Sequence, residues 1–183
     1  YNVDAAYVGH PLADEIPMRP RSPAQQRERL GLIPDRPCIA MLPGSRMSEV
    51  ARLTDDFLLA ARWCHERRPE LQFVAPLVSS ELRSLFESRL RVLAPDLPIR
   101  ILDRQPREAI QAAEVVLVAS GTATLETLLL KRPMVVAYRV SPATFWLAKR
   151  LQLVKVSHVA LANLLSDEAL APEFLQQECQ PQA

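Results

Sequence analysis

The 183 residues carry a formal net charge of +1, with 49% hydrophobic and 23% charged side chains. This is ordinary usage for one globular domain with a full core, and it excludes a nucleic-acid-binding polycation and an acidic tail. Cys38, Cys64 and Cys179 show no CxxC spacing, so neither a disulfide framework nor a zinc site is expected, and a reducing compartment fits. No apolar run approaches the ~20 residues a membrane span needs. Tyr1-Asn2-Val3-Asp4 lacks the charged-then-apolar pattern of a secretory leader, and without a starting Met the chain reads as cut from something longer.

Residues 1–37 are irregular and proline-rich, and read as a linker leading into a domain that spans 38–183. One short helix is expected in it, from Pro23 to Leu30, with Ser22 as cap and Pro23 in the first turn. From residue 38 the pattern becomes regular. Cys38–Leu42 is a continuous apolar run, as in a strand buried on both faces. Ser48 opens a helix with Val50, Leu53, Phe57, Ala61 and Cys64 on one face, closed by Pro69. There follow a strand at Gln72–Ala75, a helix at Ser80–Leu93, a strand at Ile99–Leu102 and a short helix at Arg107–Ala113. Val115–Ala119 is the clearest buried strand, followed by a helix to about Leu130, a strand at Met134–Tyr138 and a helix from Pro142 to Leu151. Strands and helices alternate with short connections. That order predicts an α/β fold, a doubly wound parallel sheet with helices on both faces. Ligands in such folds sit beyond the carboxyl ends of the strands, at the point where strand order reverses.

The loops after the strands are therefore the candidate sites. Pro43-Gly44-Ser45-Arg46 follows the first strand. Its glycine lets backbone N–H groups approach an anion at a helix N-terminus, and Arg46 adds a fork suited to phosphate. The loop is neither a Walker loop nor a GxGxxG turn. In the plainer alternative, Ser48 and Glu49 merely begin a helix and Arg46 is solvated. Ser120-Gly121-Thr122 follows the best strand, with Glu126 one turn on. It again suits a diphosphate, with Glu126 accepting from ribose hydroxyls; the alternative is an ordinary cap with a first-turn acid. Asp103–Glu108 reads as a polar loop capping a helix, at most bordering a base pocket. Phe145, Trp146, Lys149 and Arg150 combine aromatics with a basic end, which suits a membrane interface or a core-facing helix with a basic C-terminus. His10, His65 and His158 show no metal-ligand spacing; His65 reads as surface and His10 as a structural turn residue.

Several stretches, in order, resemble the lipid-A-disaccharide synthase family. They are Tyr7–Leu12, Leu42–Arg46 with Ser48-Glu49, Phe73–Leu77, Ala119–Glu126, Pro133–Arg139, Asn163–Leu165 and Pro172–Gln176. The resemblance implies the C-terminal, Rossmann-like half of a GT-B glycosyltransferase. Such an enzyme moves diacylglucosamine from UDP-diacylglucosamine to diacylglucosamine 1-phosphate with inversion and release of UDP. By resemblance Gly44, Ser45, Arg46, Ser120, Gly121 and Thr122 face the diphosphate, Glu126 holds the ribose, and Asn163 lies near the donor phosphates. It implies no cofactor or metal, no nucleic acid, and a peripheral place at the cytoplasmic face of the inner membrane, with a homodimer one state it allows. The catalytic acid or base is expected in an N-terminal domain outside these residues. This chain departs from the family at Ala162, where proline is usual, and at Asp167, where glycine is common. Other readings compatible with the loops are another UDP-GlcNAc-using GT-B transferase or epimerase, and a non-catalytic module that binds nucleotide or membrane.

Overall fold

In the computed structural model, which describes residues 6, 9–19, 21–141, 150, 159–166 and 169–182, the apolar runs pair into one parallel sheet. The strands are β1 (Cys38–Leu42), β2 (Gln72–Leu77), β3 (Ile99–Asp103), β4 (Val115–Ala119), β5 (Met134–Tyr138) and β6 (Glu173–Leu175), in the spatial order β3-β2-β1-β4-β5-β6. The register sets Ile39 beside Val115 and Leu42 beside Val118 in the central pair. β2 runs further than its apolar pattern suggests, through Pro76 to Leu77. Pro76 lacks an N–H, and it falls beyond Val74, where the ladder to β1 has ended.

Alternate strand residues point to opposite faces, which builds two cores. Ala40, Leu42, Val74, Val116, Val118 and Val136 face one layer. It is formed by α2 (Pro23–Arg29), α5 (Pro106–Ala112), α6 (Thr122–Leu129) and α7 (Leu161–Ser166). Met41, Phe73, Ala75, Ala119 and Ala137 face the other core, covered by α3 (Met47–Arg67) and α4 (Ser80–Leu93). α3 keeps the expected helical spacing: Val50, Leu53, Phe57 and Ala61 are buried, and Pro69 follows its end. The sheet is thus doubly wound, as its alternating pattern predicts.

The short α1 (Pro11–Glu15) is capped by His10, whose Nδ1 accepts from Leu12 N at 3.2 Å, the structural role expected of that turn. Ser22 caps α2 with Pro23 in its first turn, also as expected. The lead-in segment before residue 38 also packs onto the sheet. Ile16 and Leu30 join the core. Arg27, 4% exposed, donates from Nε to Ala112 O and from Nη1 to Pro34 O and Arg36 O, each at 2.8 Å. Its Nη2 pairs with Glu114, which in turn accepts from Cys38 N. The guanidinium sews the lead-in segment to the base of the sheet, so the folded unit begins before Cys38. A charged residue among prolines carries no sequence signal for such burial.

Two further elements, α7 and the three-residue β6, carried no readable period. The helix expected at Pro142–Leu151 lies outside the described residues except for Arg150.

Candidate functional site

β1 and β4 are neighbours, yet the chain leaves β1 toward β2 on one side and β4 toward β5 on the other. Their carboxyl ends form the switch point of the sheet, where two diverging connections leave a crevice. A cleft of about 350 Å³ opens there. Gly44, Ser45, Arg46, Ser120, Gly121, Thr122 and Glu126 all border it, together with Glu49, Pro76, Val78 and Pro106. Arg46 and Gly121 therefore share one cavity, although 74 intervening residues separate them in the chain.

Gly44 has φ +125°, and a Cβ there would lie 2.7 Å from Glu49 Cβ and 2.8 Å from Glu49 Oε2. Only glycine admits both the conformation and the approach. Glu49 Oε2 accepts from the backbone N–H groups of Ser45 (3.2 Å) and Arg46 (3.3 Å), and Oε1 accepts from Arg46 Nη1 at 2.7 Å. A carboxylate thus occupies the amide nest of this loop, which shows in the molecule itself that the loop accommodates an anion. Arg46 and the two amides hold the Glu49 carboxyl below the ordinary carboxylate range, against the opposing effect of burial. The Arg46 side chain is 79% exposed, so its guanidinium can leave Glu49 for a ligand. Glu49 was read only as a helix-starting acid. Its place three residues after the cap is the signal that it turns back on the loop.

Across the cleft, Ser120 N extends the ladder to Ala137 O, and its hydroxyl donates to Val159 O at 2.7 Å. A Cβ built on Gly121 meets nothing within 4 Å, so the space before it belongs to the cleft. Thr122 begins α6; Thr124 N donates to Gly121 O at 3.1 Å, and the amides of Thr122 and Ala123 have no acceptor within the helix. Glu126, 17% exposed, accepts from Arg107 Nε at 3.0 Å through Oε1. Arg107 also donates from Nη2 to Glu15 Oε2 at 2.6 Å. The Asp103–Glu108 loop does more than cap a helix. Pro106 joins Pro76 and Val78 as an apolar wall, and Arg107 fixes Glu126. Asp103 turns away and pairs with Arg83.

The side chain of Asn163 is hydrogen-bonded within the fold. It is 1% exposed; Nδ2 donates to Ala171 O (2.8 Å) and Glu173 Oε1 (2.6 Å), while Oδ1 accepts from Ala171 N (2.9 Å). Glu173 also accepts from Val159 N and Ala160 N, and Val159 O is the acceptor for Ser120. Asn163 therefore supports the site at one remove. Ala162, in place of the usual proline, is buried and leaves this network intact. Asp167, Phe145, Trp146 and Lys149 lie outside the described residues, and Arg150 is exposed. Among the described residues no group of three potential metal ligands converges, and no helix is long and apolar enough to cross a membrane.

A parallel sheet in the order 3-2-1-4-5-6 with a cleft at its switch point is a Rossmann-like fold, and it matches that of GT-B glycosyltransferase domains. The fold matches that of the E. coli ADP-heptose LPS heptosyltransferase II (TM-score 0.60, 17% identity, 87% of this chain and 47% of that one). It also matches the C-terminal domain of a glycosyl transferase group 1 family protein from Francisella tularensis (TM-score 0.51, 13% identity, 76% of this chain and 85% of that one). Within that class the chain belongs to the lipid-A-disaccharide synthetase family, whose model matches residues 1–183. It is 50% identical over 182 residues to the lipid-A-disaccharide synthase of Erwinia tasmaniensis, covering 100% of this chain and 47% of that protein. The chain thus spans about half the length of the relatives it matches.

Proposed function

We infer that this chain is the donor-binding part of an inverting glycosyltransferase. The enzyme transfers diacylglucosamine from UDP-diacylglucosamine to diacylglucosamine 1-phosphate, releasing UDP. The observation that carries this reading is the shared cleft of Arg46 and Gly121. The diphosphate sits between the Gly44–Arg46 loop and the first turn of α6, where amide dipoles and a guanidinium favour negative charge. The ribose lies on Glu126, and the base lies against Pro76, Val78 and Pro106.

In transfer, the bond between the anomeric carbon and the phosphate oxygen breaks, and its electron pair leaves with UDP. The acceptor hydroxyl attacks from the opposite face and gives up its proton. Charge builds on the diphosphate, where the amides of the two loops and Arg46, released from Glu49, stabilise it without a metal ion. The acceptor-binding half, with the base that takes the proton, is placed in the additional length of the relatives. Peripheral attachment to the cytoplasmic face of the inner membrane through the 145–150 stretch, and dimerisation, belong to the same reading.

The test is UDP binding to this chain by titration calorimetry. UDP is expected to bind, with Arg46→Ala and Glu126→Gln each weakening it about tenfold, the loss of one charge-assisted hydrogen bond. A folded chain with no affinity for UDP would refute the assignment.

A further inference from the structure

Every nucleoside diphosphate brings the same phosphates and ribose, so the Gly44–Arg46 loop, the first turn of α6 and Glu126 treat all bases alike. A choice between bases falls to the apolar wall of the same cleft. Pro76 and Val78 form one side of that wall, at the end of β2, and Pro106 forms the other, at the start of α5.

The two sides are joined at Arg104. The pairing of β2 with β3 runs to Leu77 and Asp103, and Arg104 N adds one more rung, to Leu77 O at 3.0 Å. There the chain turns. Arg104 has φ +53°, a left-handed conformation that costs an L residue energy and that glycine takes freely. An arginine kept at such a corner points to a role for its side chain. That side chain donates from Nε to Val78 O at 2.9 Å. Pro106, its φ fixed by the ring, follows two residues later. Asp103, one residue back, is held by Arg83 Nη1 at 2.9 Å. The guanidinium therefore spans from the turn that launches Pro106 to the carbonyl of Val78, and it fixes how far apart the two apolar sides stand.

We propose that Arg104 is a positioning residue for base selection: through Val78 it sets the slot beside Pro106 to the size of a single-ring pyrimidine and too small for a two-ring purine. Selection then acts through shape, since Val78 O is already engaged by the guanidinium. The proposal rests on the donor reading and deepens it by naming what chooses the base.

Calorimetry with UDP, ADP and inorganic pyrophosphate, on the chain and on Arg104→Ala and Arg104→Gly, tests this. The wild-type chain is expected to bind UDP at least about tenfold more tightly than ADP. Both variants lose the guanidinium, and in both that ratio is expected to fall about fivefold. Pyrophosphate, which has no base to meet the slot, is expected to bind all three chains equally. Glycine relieves the left-handed corner, so a merely structural role for Arg104 would spare the ratio in Arg104→Gly. An unchanged ratio in Arg104→Gly, or pyrophosphate weakened as much as UDP, overturns the proposal and leaves the donor reading standing. A folded wild-type chain that binds neither UDP nor pyrophosphate refutes both.

Discussion

Arg107 and Glu126 lie 19 residues apart on successive helices, and the arginine's Nε meets one carboxylate oxygen of the glutamate at 3.0 Å. Glu126 borders the cleft, and Arg107 is itself anchored by Glu15. Orientation of the carboxylate is therefore set from outside the cavity, by a side chain that does not border it. Arg107→Gln is expected to reduce UDP affinity about fivefold, and to narrow the preference for UDP over 2′,3′-dideoxy-UDP by a similar factor. Calorimetry with both nucleotides checks this. An unchanged ratio would show that Arg107 does not position Glu126 for a ribose.

Glu49 is the built-in competitor for the amide nest of the Gly44–Arg46 loop. Glu49→Gln removes a negative charge beside the diphosphate position, and is expected to tighten UDP binding a few-fold, the scale of an exposed ion pair. Stability should move the other way. The folded chain holds this carboxyl below its ordinary value of 4.5, so its contribution is present above that pH and is lost as pH falls through the folded value. Urea denaturation at pH 7 and at pH 4 is expected to show wild type and Glu49→Gln converging at the lower pH.

Arg27 joins the lead-in segment to the sheet through three carbonyls and Glu114. Arg27→Met keeps the aliphatic bulk but strands those acceptors, and is expected to cost about 3 kcal/mol in urea denaturation. Arg46→Ala, which removes an exposed pair, is expected to stay within about 0.5 kcal/mol of wild type.

Cys38 is 0% exposed at the start of β1, and burial pushes its thiol up to about 12 from 9.0, although Arg27 acts in the opposite sense. The unfolded chain gives up this proton first as pH rises. Stability attributable to the neutral thiol is therefore complete below pH 9 and drains away between pH 9 and about 12. Denaturation midpoints across that interval are expected to fall less steeply in Cys38→Ala, by up to about 1.4 kcal/mol per pH unit. In native chain at pH 7 the thiol is expected to resist aromatic disulfide reagents until the protein unfolds.

The order of strands and helices was legible in the chain because each central strand is buried on both faces, so Cys38–Leu42 and Val115–Ala119 had to be uninterrupted apolar runs. The helices announced themselves through 3.6-residue spacing, as Val50, Leu53, Phe57 and Ala61 do on α3. The two anion-type loops could be found by position alone, since a parallel sheet admits ligands only beyond its strand ends. Tertiary structure decided what those loops and their neighbours do with their polar atoms. It turned Glu49 back onto the nest, set Arg107 behind Glu126, buried Arg27 beneath a segment read as linker, and committed Asn163 to Ala171 and Glu173. Hydrophobic periodicity is a local property that survives in one dimension. A hydrogen bond between side chains far apart in sequence is chosen only when folding sets their backbones side by side, and it leaves no period to read.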